Sequence, residues 1–330
     1  MCLPGVIVFP ENDLSVAWNR PRLPLAGQIL STVTCYAWSV WRIAVTDWIE
    51  RRVKGMSPEA LSDAIFAGRI LYFEGLQPMQ DLIACARRCI DATFPGHDPV
   101  SAHTQLDQKS YEERCAAMRK AFITDRKALR ALEASLTAAG VDGHATYRDR
   151  LVLRVSPPGA LGYRRGFGTV PPHRDSWGSG LMNQINWWLP VYPITKERTL
   201  AIFPAHWKDP VKNDSRGWNW REAGKNPGVA LLPTAQSDLD RSGEIRVVVE
   251  PGTLVAFSAA HLHASVKNTT NAARFSCESR TVNIDELRSG NGAPDIDGGG
   301  VQPALEWFVR LGDGEALTPR ADLPDTLSRP

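Results

Sequence analysis

Three side chains in this sequence are spaced for joint chemistry. His173 and Asp175 stand two residues apart in VPPHRDSWGSG (170–180), and a pair of histidines, His261 and His263, follows in PGTLVAFSAAHLHASVKN (251–268). On a β-strand, residues i and i+2 project from one face, so His173 and Asp175 can offer an imidazole nitrogen and a carboxylate oxygen to one point while Arg174 points away. Two histidines and one carboxylate are the set that holds iron with coordination positions left open for a co-substrate and oxygen. Either His261 or His263 can complete the set, provided the fold closes the long stretch between them and His173, as a jelly roll does.

The triplet His173-Arg174-Asp175 has a competing reading, in which the carboxylate accepts a hydroxyl proton during phosphoryl transfer. Protein kinases that use it also need an asparagine five residues beyond the aspartate, a glycine-rich loop followed by a lysine strand, and a downstream Asp-Phe-Gly. Position 180 is Gly, Asp-Phe-Gly occurs nowhere, and the glycines of GALGYRRGFGTV (159–170) lie immediately before the triplet. The metal reading stands.

The elements that must position these residues are legible in outline. Ser57 and Pro58 predict the start of a short helix to Ala67, GRILYFEGL (68–76) a strand, and 79–92 a second helix. Residues 110–139 lack Gly and Pro and predict one or two amphipathic helices. After Thr146 come short β-rich runs: LVLRVS, INWWLPVY, TLAIFP, EIRVVVE, GTLVAFS and ARFSCESRTVNI. Helices first and strands afterwards define an α+β chain with an antiparallel sandwich or barrel. The expected division is an N-terminal arm (1–57), one domain (58–287), and a C-terminal loop and tail (288–330).

A net charge of +2 over 330 residues gives no electrostatic case for nucleic acid or an anionic membrane as main partner, and favours a small molecule. The six cysteines form no CxxC pair and no signal peptide precedes them, so a reducing, cytoplasmic setting is expected. Cys85 and Cys89, one helical turn apart, read as core. AGQILSTVTCYAWSVW (26–41) falls short of the roughly 20 apolar residues of a spanning helix. Its aromatics, with Trp48, read as packing on the core or as a surface that pairs two copies into a homodimer.

The stretch GTLVAFSAAHLHASVKNTTNAARFS (252–276) is similar to the C-terminal motif of Fe(II)/2-oxoglutarate-dependent dioxygenases, in particular the phytanoyl-CoA dioxygenase-like branch. The shared features are a glycine-led strand ending in Phe, a histidine followed by a small residue and Ser, a nearby Asn, and an arginine on the next strand. INWWLPVYPITKERTLAIFPAHW (185–207) resembles the family's segment between the two ligand sites, with its ending one residue short, and the likeness runs over about residues 60–284. The resemblance implies a double-stranded β-helix (jelly roll) core with N-terminal helices packed on it. It also implies Fe(II) held by His173, Asp175 and His263, with 2-oxoglutarate and O2 as co-substrates and Arg274 gripping the 2-oxoglutarate. Related halogenases replace the carboxylate ligand with a small residue, so Asp175 favours hydroxylation or desaturation.

Strand parity adds detail. In ARFSCESRTV, Arg274, Ser276, Glu278 and Arg280 share one face, and Phe275 and Cys277 the other. A guanidinium holds a carboxylate through two parallel hydrogen bonds, and Ser276 can add a third donor. Arg280 reads as the partner of Glu278, or as a contact for a substrate acid. Gln184, Asn186 and Trp188 alternate onto one face as a pocket wall, with Asn186 placed against 2-oxoglutarate. Trp177 is a candidate for the pocket mouth. Arg164 reads as a solvated basic turn or an anion contact, and Trp218 in the segment 205–228 as lid or surface insertion. The substrate is expected to be a small polar metabolite or biosynthetic intermediate. The competing class is a cupin-like, 2-oxoglutarate-independent jelly roll, which has no need of a carboxylate clamp at Arg274 and Ser276.

Overall fold

Helix starts fall where the sequence marks them. In the computed structural model, which describes residues 48–159, 169–225, 230–300, 303–319 and 323, β1 (Ile49–Arg52) precedes α1 (Pro58–Phe66). Ser57 caps α1 by accepting from the Ala60 amide at 3.2 Å. β2 (Ile70–Phe73) then pairs in parallel with β1, α1 being the crossover. The arm expected over 1–57 therefore ends in an edge strand; Tyr36, Trp38 and Trp41, and any homodimer surface they make, lie outside the described residues. After α2 (Pro78–Thr93), the stretch 110–139 resolves into α3 (Gln108–Ile123) and α4 (Arg126–Ala139). They part at Asp125, whose carboxylate accepts from the Lys127 and Ala128 amides. Gly140 ends α4 at φ +120°, where a Cβ would lie 2.3 Å from the Met56 carbonyl oxygen.

The strand-rich part runs β3 (Thr146–Arg148), β4 (Val152–Ser156), a one-turn helix α5 (Ser176–Ser179), β5 (Ile185–Pro190), β6 (Leu200–Ile202), β7 (Ile245–Val247), β8 (Leu254–Ser258), β9 (His263–Ser265), β10 (Arg274–Asn283), α6 (Ile284–Ser289) and β11 (Val309–Arg310). The larger sheet has the order β1-β2-β8-β5-β10-β3-β11, with β4 also paired to β10, and the smaller sheet is β7-β6-β9.

Alternation along the central strands builds three layers. Leu71, Phe73, Trp187, Leu189, Leu254, Phe275 and Cys277 of the larger sheet pack with Ile65, Leu82, Met118 and Leu132 of the helices. From the opposite face Tyr72, Trp188, Val255 and Phe257 meet Leu200, Ile202, Ile245 and Val247 of the smaller sheet. The space between the sheets is where inward polar side chains of β5 and β10 must find partners. Cys85, as expected, is buried among helix-side apolar residues.

The segment set apart from the sequence as loop and tail belongs to the fold. β11 pairs with β3, and Leu305, Phe308, Leu317 and Leu323 are buried against Val282 and Ile284. Its apolar positions are isolated between Gly, Pro and Asp, so no period advertises them. Among the described residues, no helix is long and apolar enough to cross a membrane.

Candidate metal centre

The two ligand segments meet backbone to backbone. His173 and His263 form an isolated antiparallel bridge in which each amide donates to the other's carbonyl at 2.9 Å. Their imidazoles then lie side by side, ring centres 4.2 Å apart. Asp175 follows on the turn into α5, and its Oδ1 and Oδ2 stand 3.7 Å from His173 Nε2 and His263 Nε2 respectively. Candidate ligand atoms of all three residues fall within 4.8 Å of one another, the only such metal-competent group among the described residues.

Hydrogen bonds behind the rings fix which nitrogen faces inward. His173 Nδ1 donates to the Pro171 carbonyl at 2.9 Å and His263 Nδ1 to the His261 carbonyl at 3.0 Å, which leaves both Nε2 lone pairs directed at the common point. This donor set fits a divalent transition metal with open positions. Burial, joined by the neighbouring His263, pushes the His173 pKa down to about 3, and burial lowers that of His263 as well. Both rings are thus neutral ligands at ordinary pH. Protons therefore do not compete with the metal at the ordinary histidine pKa, and Mn(II) affinity measured by titration should stay flat as the pH falls from 8 through about 6.5. A steep loss beginning near the ordinary histidine value would contradict this.

Asp175 is held from both sides. Arg280 Nη2 donates to Oδ1 at 3.0 Å and Asn186 Nδ2 to Oδ2 at 2.6 Å, while Gln184 Nε2 supports Asn186 at 3.0 Å. Burial opposes the negative charge of Asp175, but the charge and hydrogen bond of Arg280 outweigh it and keep the group ionised far below the usual carboxylate range. Arg280 is in turn fixed by Asp149 at 2.9 Å. Its partners are thus Asp175 and Asp149, and not the Glu278, open strand end or substrate acid that the sequence suggests. Glu278 belongs to Arg154, whose Nε lies 2.7 Å from it.

The ligands open onto a cavity of about 90 Å³, walled on the larger-sheet side by Asn186, Trp188, Arg274, Glu278 and Arg280. Arg274 is buried, and no group among the described residues accepts from its guanidinium; Nε in particular is orphaned, as is the indole Nε1 of Trp188. Ser276, expected beside Arg274 as an extra donor, instead turns its hydroxyl to Glu278 at 3.1 Å. Gln184 stands behind Asn186 and does not line the cavity.

Two tryptophans placed at the pocket from sequence lie elsewhere. Trp177 packs with Ala201, Phe203 and Leu262 and donates to Asp297 at 2.7 Å. Trp218 bonds the Ala230 carbonyl at 3.1 Å, and its ring lies 3.5 Å from where a Gly178 Cβ would be, against the turn that carries Asp175. None of the described residues 205–225 lines the cavity; Trp220 and Arg221 contact Trp307 and Glu306 instead. Arg164 lies outside the described residues. Arg174, read as an outward spacer, is buried: it bonds Asp297 at 3.1 Å, the His206 and Asp209 carbonyls at 2.7 and 3.2 Å, and the Ala260 carbonyl. An arginine between two ligands gave no signal of a partner so far along the chain. His261 is no ligand; its Nε2 donates to the Gly68 carbonyl at 3.1 Å and its ring stacks near Trp207.

Fold and site together define a two-sheet, helix-backed protein with a buried two-histidine, one-carboxylate centre. No family model and no curated protein matches the sequence. Among solved structures, the chain is similar to a non-heme monooxygenase, ThoJ, in its apo form (18% identity, 75% of this chain and 82% of that one, TM-score 0.41). It is also similar to EvdO2 from Micromonospora carbonacea var. aurantiaca complexed with 2-oxoglutarate (14% identity, 70% and 93%, TM-score 0.39). A third is EctD from S. alaskensis with 2-oxoglutarate and 5-hydroxyectoine (14% identity, 82% and 90%, TM-score 0.39).

Proposed function

We propose that the protein is a non-haem Fe(II) oxygenase that couples oxidative decarboxylation of 2-oxoglutarate to hydroxylation or desaturation of a small molecule, on a double-stranded β-helix formed by its two sheets. The observation that carries this reading is one cavity in which a buried metal-competent triad faces a buried arginine without an acceptor. Bound iron supplies the oxidative step: 2-oxoglutarate, O2 and a C–H substrate give succinate, CO2 and an alcohol, one oxygen atom entering succinate and the other the alcohol.

The residues of the chain do the holding. His173, Asp175 and His263 are the ligands, and Arg280 with Asn186 keeps the Asp175 carboxylate from rotating. Arg274 takes the 2-oxoglutarate carboxylate remote from the keto group, with Trp188 Nε1 as a further open donor. Leu200 and Val170 on the smaller-sheet side and Phe257 of β8 line the cavity with apolar surface and exclude water. A metabolite binder without a co-substrate leaves the orphaned Arg274 Nε unexplained.

Anaerobic addition of Fe(II) and 2-oxoglutarate to metal-free protein should raise a visible metal-to-ligand charge-transfer band; its absence in folded protein would sink the proposal. Arg274→Ala should raise the 2-oxoglutarate concentration needed for half-saturation by about 10–100-fold, since a charge-assisted hydrogen bond contributes about 1.5–3 kcal/mol. Metal affinity should not change. An unaltered 2-oxoglutarate requirement would move the clamp to another residue.

A further inference from the structure

Apart from the Nε2 lone pairs of the triad and the Ser265 hydroxyl, the uncommitted polar atoms of the cavity are of one kind. Its carboxylates are engaged: Asp149 and Asp175 accept from Arg280 at 2.9 and 3.0 Å, and Glu278 from Arg154 at 2.7 Å. What remains open is donors. Arg274 Nε and Trp188 Nε1 are orphaned in the interior. At the rim, Arg150 is exposed and has no hydrogen-bond or ion-pair partner among the described residues.

The rim cation has company. Alternation puts Val152 and Arg154 on the cavity side of β4, and Arg150, two residues before the strand, lines the same cavity, while Leu153 and Val155 face the helices. Glu278 answers Arg154, so Arg150 keeps an unmatched charge beside it at the rim, in a chain whose net charge is only +2. A near-neutral total conceals a local excess of positive charge, which attracts and retains an anion.

Arg274 and Arg150 mark two separate places on this face. Arg274 lies opposite Ser156. Arg150 is six residues before Ser156, about 20 Å along an extended chain at roughly 3.3 Å per residue. It directly follows Asp149, which fixes Arg280 on the metal ligand Asp175. A five-carbon diacid chelated at the triad and gripped by Arg274 does not extend to Arg150 as well.

We propose that the oxidised substrate is an organic anion whose carboxylate or phosphate group docks on Arg150, beside Arg154, at the cavity rim away from Arg274; this rests on the oxygenase reading of the centre. The planar guanidinium suits an acceptor with two oxygens. Rim exposure suits a terminal group whose reactive carbon extends inward to the triad.

The test titrates inorganic phosphate, at low ionic strength and by calorimetry, into the full chain loaded with Mn(II) and 2-oxoglutarate. Saturable binding is the expected result, weakened by at least about tenfold in Arg150→Gln and unchanged in Arg246→Gln, an exposed position on β7. The affinity of the Arg150→Gln protein for 2-oxoglutarate should change by less than about twofold. No saturable phosphate binding, or binding indifferent to Arg150→Gln, overturns the proposal. So does a parallel loss of 2-oxoglutarate affinity, which would assign the cluster to the co-substrate. If 2-oxoglutarate itself fails to bind, the oxygenase reading falls, and phosphate titration of the Mn(II)-loaded protein still decides whether Arg150 is an anion site.

Discussion

His263→Ala should abolish the charge-transfer band, metal binding and turnover together, whereas His261→Ala should keep the band and lose stability instead. Both histidines are buried and two residues apart, so composition does not separate them. Their environments do. His263 Nε2 faces Asp175 at 3.7 Å and its ring nearly touches that of His173, so alanine there leaves two ligands and an incomplete centre. His261 sits among Trp48, Phe257 and Trp207 with its Nε2 on the Gly68 carbonyl. Alanine there opens a cavity, a loss of about 2–5 kcal/mol on the scale of large-to-small core changes. Denaturant unfolding and the visible spectrum, read on both variants, check the pair; a band lost in His261→Ala and kept in His263→Ala would exchange their roles.

Arg174→Met should destabilise the protein by about 3–5 kcal/mol, the usual cost of stranding one partner of a buried ion pair. Asp297 is the group left behind: its side chain is 6% exposed, its Oδ1 accepts from Trp177 Nε1 and its Oδ2 from the Val211 amide. The guanidinium meanwhile ties together carbonyls from the 206–209 turn and from Ala260, just ahead of His263. Removing it frees the turn between His173 and Asp175, so metal affinity should fall in the same variant although no ligand has changed. Equilibrium unfolding and a metal titration test both halves. The double replacement Arg174→Met with Asp297→Leu should cost less than the sum of the single replacements, because no unpaired charge remains.

Arg274 was legible with Glu278 and Arg280 because a strand enforces parity residue by residue; His173 and Asp175 also meet, but by a turn, since Asp175 caps α5 in the helical region and not on a strand. Partner choice across strands was not legible. Arg280 meets Asp175, and Arg154 meets Glu278, through pairings of β10 with β5 and β4 that only the folded sheet specifies. Trp177 and Trp218 show a second limit, since an indole suits a pocket wall and a core equally well and only its neighbours decide. The C-terminal segment shows a third. Asp297, Phe308 and Leu317 act one at a time, so they leave no periodic trace, yet one of them closes the ion pair beneath the metal ligands.

The reciprocal amide bonds between His173 and His263 have an evolutionary meaning. Because the main chain alone fixes how far apart these two positions lie, side chains there can change without the loop between them coming undone. Chemistry can be subtracted from such a centre one residue at a time, and restored the same way, while the architecture persists. Single substitutions at these two positions should therefore remove the side-chain chemistry and leave the backbone rung in place.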